Sequence, residues 1–144
     1  MKSNEHRSVE NPTARERLTE FYTTFNHVVT NDSDIDTLAA AMTDDVTWID
    51  ATTGARTDRR YSGTDAVLEN VVLTPRDRSD HLQAHPERFT DAGETVIVEG
   101  AYVGTVDGRN FDIAFAHVFE LIDGRIDGCT AYRDTALEQR VFDA

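Results

Sequence analysis

Three turn signals in the second half of the chain constrain its fold most. Ala92-Gly93, Asp107-Gly108 and Asp123-Gly124 each separate two runs rich in β-branched and aromatic residues. Asp-Gly is the pair a two-residue hairpin favours, because both central residues must take positive φ. The strands expected from this spacing run near 81–90, 94–106, 109–122 and 125–134. The third of these alternates most cleanly. Phe111, Ile113, Phe115, His117, Phe119 and Leu121 fall on one face, with Asp112, Ala114, Ala116, Val118 and Glu120 on the other. Such a meander needs a cover for its apolar face.

The cover is written in the first half. Asn11 is placed to cap a helix with Pro12 at its first position. Leu18, Phe21, Tyr22, Phe25, Val28 and Val29 then form one apolar stripe. Thr30-Asn31-Asp32-Ser33 ends that helix. A second helix is expected from Asp34, turning Ile35, Leu38, Ala39 and Met42 inward, with Asp44-Asp45 as its stop. Val46 to Ala51 reads as a strand with Val46, Trp48 and Asp50 on one face. A polar loop follows from Thr52 to Arg60. Ser62-Gly63-Thr64 starts a third helix carrying Ala66, Val67, Leu68 and Val71, and Pro75 to Asp80 is a loop. Residues 1–10 read as a disordered arm, 11–137 as the domain and 138–144 as a C-terminal tail. The order α-α-β-α-β-β-β-β is an α+β fold: a curved antiparallel or mixed sheet wrapped around three N-terminal helices. Long twisted strands bend, and so thin a helical layer cannot fill the concavity to its mouth, so a central pocket is expected.

Composition narrows the function classes. A chain of 144 residues, 39% apolar, is enough for one domain with its own core. Cys129 is the lone cysteine, so no intrachain disulfide and no cysteine metal site is expected. The first residues lack the apolar core of a secretion signal, and no run approaches the roughly 20 apolar residues of a membrane span. The expected location is cytoplasmic. Asp and Glu number 27 against 14 Lys and Arg, for a net charge of −13. Such a surface repels phosphate backbones and anionic lipid, so neither a nucleic acid nor a membrane is an expected partner. The acids are scattered rather than clustered, which suits solvation. Acid-rich, threonine-rich and almost without lysine (Lys2 is the only one), the chain resembles proteins of salt-loving archaea.

Particular segments also resemble a known family. Asp34-Ile35-Asp36-Thr37-Leu38, Thr43 to Asp50 and Tyr61-Ser62-Gly63-Thr64-Asp65-Ala66 look like the first half of SnoaL-like proteins. Val96 to Gly100, Ala116 to Leu121, Asp123 to Ile126 and Ala131-Tyr132-Arg133-Asp134 look like the second half. The resemblance spans roughly residues 15–136 and implies the NTF2-like cone with a pocket for a small apolar or carbonyl-containing molecule, no cofactor, and a homodimer. The superfamily includes polyketide cyclases, ketosteroid isomerases, limonene-epoxide hydrolases and scytalone dehydratases. Asp50 stands where the isomerases place their general base, and His117 where they place a protonated Asp that donates to an oxyanion. Their helix-one tyrosine falls at Phe21, with Tyr22 adjacent but expected to point elsewhere. The hydrolases' Asp-Arg-Asp trio is replaced by Tyr102, Gly100 and Ala131, which disfavours that chemistry. Scytalone dehydratases are matched only in pairing an Asp with histidine inside the cone.

Each candidate carries two readings. Asp50 is either an inward carboxylate acting as general base or a solvated turn residue. His117 either donates to an oxyanion or shuttles protons with Asp50, or it is a hydrogen-bonded core residue. Arg133 neutralises Asp50 or binds a substrate carboxylate or phenolate, or it is a rim arginine. Tyr102 is a hydroxyl donor or a wall aromatic. Trp48, Phe115, Phe21, Phe25 and Cys129 complete the expected wall. His81 and His85, four apart on a strand, lie about 13 Å from each other and cannot share a metal, while His6 and His27 are expected to face solvent. No metal site is expected. Catalysis, ligand carriage and dimerisation through the outer sheet face at Ile97, Val103 and Val118 all remain open at this point.

Overall fold

The computed structural model describes residues 12–31, 33–51 and 59–143. The expected disordered arm, Asn11 and most of the expected polar loop lie outside these residues. Helix α1 (Ala14–Asn31) buries the whole predicted stripe. It opens on Thr13 rather than Asn11. The Thr13 hydroxyl accepts from the Glu16 amide at 3.1 Å, and the Thr13 amide donates to the Glu16 carboxylate at 2.8 Å. This reciprocal capping box satisfies two amide donors at a helix start. Helix α2 (Ile35–Ala40) is shorter than expected. Met42, Asp44 and Asp45 belong instead to strand β1 (Met42–Ala51). The two acids are exposed where the pairing register of β1 slips between Met42 and Thr47, so they mark a bulge and not a helix end.

Arg59, expected to lie in a loop, starts a short strand β2 (Arg59–Ser62) paired antiparallel to β1. Helix α3 (Thr64–Val67) widens into a π-helical stretch over Leu68–Leu73 and resumes as α4 (Thr74–Arg78). The expected loop from Pro75 is thus helical to Arg78. Pro75 sits in the first turn of α4, where a missing N–H costs least, and the wider turn before it absorbs the break in the ladder.

Strands β3 (His81–Ala92), β4 (Thr95–Val106), β5 (Arg109–Ile122) and β6 (Arg125–Arg133) form the predicted meander. Asp107-Gly108 and Asp123-Gly124 have positive φ at both residues, the condition for tight hairpins. Sheet order is β2-β1-β6-β5-β4-β3, with β1 parallel to β6 and every other pair antiparallel. This is the expected curved mixed sheet. Residues 138–142, read from sequence as a tail, lie in a final helix α5 (Thr135–Phe142) that is capped by the Asp134 carboxylate. Arg109 donates to the Val141 carbonyl at 2.6 Å, and Phe142 lies against Phe111, which fixes α5 to the sheet. The core lies between the stripe of α1 and the inner faces of β1, β4, β5 and β6. Its six inward residues on β5 are all buried.

Candidate functional site

Where β1 and β6 end, the helices diverge from the sheet and leave a cavity of about 200 Å³. Its floor is apolar, with Phe25, Trp48, Leu82, Phe111, Ile113 and Ala131. Its rim carries Arg59, Asn70, Thr74 and Arg78, all exposed. Asp50, Tyr102, Arg133 and Glu138 put polar groups into the wall. An apolar floor with a few convergent polar groups is the usual form of a small-molecule site.

Asp50 does point inward, as its alternation with Val46 and Trp48 predicts. Arg133, the last residue of β6, donates through both terminal nitrogens to the two Asp50 oxygens. Its Nε reaches Glu138 of α5 at 2.6 Å. The side chains of the three residues are 15%, 19% and 21% exposed, so this is a half-buried cluster at the cavity wall and not a rim arginine. Burial lowers the guanidinium's proton affinity, but the hydrogen bonds it donates to Glu138 and Asp50 outweigh this and hold Arg133 above its ordinary value. The arginine occupies one lone-pair direction on each Asp50 oxygen, and a carboxylate has a second on each.

His117 lies deeper. It is 1% exposed and does not line the cavity. Its ring stacks on Phe115 at 4.0 Å between centroids. Nδ1 is 2.6 Å from the Tyr22 hydroxyl and Nε2 is 3.1 Å from the Tyr102 hydroxyl. Burial, helped by the charge of Arg133, lowers its pKa from the usual 6.5 to about 3, so the ring is neutral. The two histidine nitrogens are therefore used by tyrosines, and Asp50 is bonded to Arg133. The structure does not join Asp50 to His117 as the sequence reading allowed. Tyr102 has its hydroxyl on His117 and its side chain on the cavity wall that Asp50 also lines. Burial pushes the Tyr102 hydroxyl's pKa up, countered in part by Arg133, and burial raises that of Tyr22 as well.

Tyr22 is the residue the sequence reading misplaced. It was expected to point elsewhere, yet it sits in the middle of the α1 stripe and turns straight into the core. The signal was present, since Leu18, Tyr22, Phe25 and Val29 fall on one helical line. Phe25, Trp48, Tyr102 and Arg133 line the cavity as expected, but Phe21, Phe115 and Cys129 do not. Phe21 packs edge-on against Phe119 and Tyr22, Phe115 is taken by His117, and Cys129 is buried with its thiol pKa pushed up, which keeps it protonated. Glu138 and Phe142 were missed because α5 was missed. Gly100, standing where the hydrolases have arginine, has no room for a side chain: a Cβ there would run into the His85 carbonyl oxygen and lie 2.9 Å from the Pro86 Cα. Among the described residues, no three His, Cys, Asp or Glu side chains are placed to hold a metal. His81 and His85 are exposed on β3, and His27 pairs with Asp34 on the surface. No described helix is long and apolar enough to cross a membrane.

Residues 18–128 match the model of the SnoaL-like domain family. No curated protein is similar enough to match. Many solved structures share the fold. An NTF2-like protein of unknown function from Burkholderia pseudomallei is 24% identical with a TM-score of 0.75, over 91% of this chain and 98% of its own. TerC, crystallised with polyporic acid, is 20% identical with a TM-score of 0.75 over the same shares. A candidate SnoaL-like polyketide cyclase from Shewanella putrefaciens is 14% identical with a TM-score of 0.74, over 92% and 98%. At these identities the likeness is one of fold. With the family model covering most of the chain and the six-stranded cone beneath it, the protein belongs to the SnoaL-like domain family.

Proposed function

We propose that this protein is a cofactor-free acid–base enzyme acting on a small, largely apolar molecule that carries a carbonyl group. The observation that carries this reading is that Asp50 and Tyr102 line one cavity whose remaining floor is apolar. Asp50 takes the proton from the carbon next to the carbonyl. The electron pair moves onto the carbonyl oxygen, and the Tyr102 hydroxyl donates a hydrogen bond to the enolate that forms. Return of the proton to the same or a conjugated carbon completes an exchange or an isomerisation, with no other reactant needed. Ring closure or loss of water would use the same enolate. Arg133 holds the Asp50 carboxylate in position. Arg78 at the rim rests on the Phe142 ring, 4.2 Å from its centroid, and with Arg59 it favours a ligand bearing a carboxylate or phenolate. The crystallisation of TerC with polyporic acid fits a cone that holds a small organic guest.

The test is a panel of small mono- and bicyclic ketones. Binding is read by quenching of Trp48, the only tryptophan and a cavity residue, and turnover is then compared in wild type and Asp50→Asn. Turnover that depends on Asp50 supports the enzyme. Tight binding with turnover unchanged in Asp50→Asn leaves a ligand carrier instead.

A homodimer goes with this reading. Ile97 and Val118 are cross-strand partners on the outer sheet face, and with Val103 they stay only half-buried in the single chain. An apolar sheet face of this kind suits a second copy. Sedimentation at high and low salt should show a dimer for wild type and a monomer for Val118→Arg. A monomeric wild type at both salts removes the proposal.

A further inference from the structure

Tyr22, His117 and Tyr102 form a continuous hydrogen-bonded line from the core to the cavity wall. A neutral imidazole has one N–H and one bare nitrogen, so the line runs in one of two directions. In the first, Nδ1–H donates to Tyr22 and Tyr102 donates to Nε2. The Tyr22 hydroxyl hydrogen is then left in the core, where the residue is 2% exposed and His117 is the hydroxyl's one hydrogen-bond partner among the described residues. An unmet buried donor lowers the population of such a state by roughly tenfold or more. In the second, Tyr22 donates to Nδ1, Nε2–H donates to Tyr102, and the Tyr102 hydrogen turns into the cavity, where a ligand can accept it. The lengths agree with the second direction. A hydroxyl donor makes a shorter bond than a ring N–H, and the Tyr22 bond is 2.6 Å against 3.1 Å for the Tyr102 bond.

We infer that His117 is held as the Nε2–H tautomer, that the Tyr102 hydroxyl is thereby committed to donate into the cavity, and that the ligand must place an acceptor oxygen there. This rests on the reading of the cavity as the ligand site and fixes where in it the ligand's oxygen must lie. Ketones, enols and carboxylates fit the Tyr102 wall, whereas a hydrocarbon of the same shape, or an amine in its protonated form at neutral pH, leaves the hydroxyl hydrogen unmet. His117 is a positioning residue, since it touches no ligand. Tyr22 sets its tautomer from the far side, on a different element and 95 residues away.

The tautomer is read directly from long-range ¹H–¹⁵N correlation spectra of the full chain labelled at histidine, near neutral pH, with the His117 signals assigned from the His117→Gln variant. The expected pattern is a neutral ring protonated at Nε2. A ring protonated at Nδ1, a mixture of the two, or a cation overturns the inference. The ligand arm uses Trp48 quenching by 1-indanone, indane and 1-aminoindane. Indanone should bind about three- to tenfold more tightly than the other two, and Tyr102→Phe should erase the preference. Equal affinity for all three in wild type overturns the ligand class. Neither readout involves turnover. A protein that binds ketones selectively without converting them would sink the enzyme reading and leave this one standing.

Discussion

The Tyr22 ring of α1 and the His117 ring of β5 are parallel to within 4°, and the Tyr22 hydroxyl and His117 Nδ1 are joined by a 2.6 Å hydrogen bond inside the core. A helix and a sheet usually meet through apolar contacts alone. Here a polar pair is buried at the contact, and it is fully matched only if both side chains keep their places. Tyr22→Phe keeps the ring and removes the partner of Nδ1. The variant should lose about 1–3 kcal/mol of unfolding free energy, measured by urea denaturation. It should also loosen the tautomer of His117, which a change in packing alone would not do.

The neutral state of His117 makes stability depend on pH in a defined window. Its folded-state pKa is lowered from 6.5 to about 3, so as pH falls the unfolded chain takes up a proton before the folded one does. The contribution is complete above about pH 6.5 and is lost at about 1.4 kcal/mol per pH unit as pH falls toward about 3. The stability difference between wild type and His117→Gln should therefore narrow with that slope between pH 6.5 and roughly 4.5. The carboxylates titrate in both proteins and cancel. A difference that stays constant with pH would mean that the folded protein carries His117 with an ordinary pKa.

Glu138 ties α5 to the cavity wall through Arg133. In Glu138→Gln the guanidinium keeps Asp50, while the helix keeps the Arg109 bond to Val141 and the Phe111–Phe142 contact. The fold should survive. The amides of α5 should nonetheless exchange with solvent about tenfold faster, the worth of one charge-assisted hydrogen bond. Hydrogen exchange read by mass spectrometry tests this, and protection unchanged in α5 would show that Glu138 does not anchor it.

Glycines on β4 and β6, the two strands that flank β5, should differ sharply. A methyl group at Gly100 would meet the β3 backbone at His85 and Pro86, whereas at Gly128 its nearest neighbour is 3.6 Å away. Gly100→Ala should cost about 1–3 kcal/mol through displaced backbone, and Gly128→Ala should change stability little. Thermal unfolding of the two variants side by side makes the comparison.

Much of the architecture was legible in sequence because it rests on period and turn chemistry. The β5 alternation, the Asp-Gly turns and the α1 stripe each signal one structure, and all three agree. Errors fell where a local signal was ambiguous. Asp44-Asp45 looked like a helix stop because acids are rare inside strands, and a bulge is what admits them. Pro75 looked like a loop because the π-helical turn that accommodates it has no sequence period of its own. The helix α5 was missed although Asp134, Leu137 and Val141 carry a cap and a short stripe, since eight residues hold too few repeats to stand out. In the site, Asp50 was legible from its strand face. The partners of His117 were not, because contacts between residues 22, 102 and 117 depend on how three elements cross rather than on spacing within any of them.

The most direct test is α-hydrogen exchange of 2-tetralone in D₂O, followed by proton NMR with wild type, Asp50→Asn and Tyr102→Phe, and with Trp48 quenching recorded in parallel to confirm that each protein binds the ketone. An Asp50 base and a Tyr102 donor predict exchange well above the buffer rate in wild type, falling by about 10²–10⁴ in Asp50→Asn and by a smaller factor in Tyr102→Phe. Ketone bound in the cavity with exchange no faster than in buffer, or equally fast without the Asp50 carboxylate, would contradict acid–base catalysis at this site.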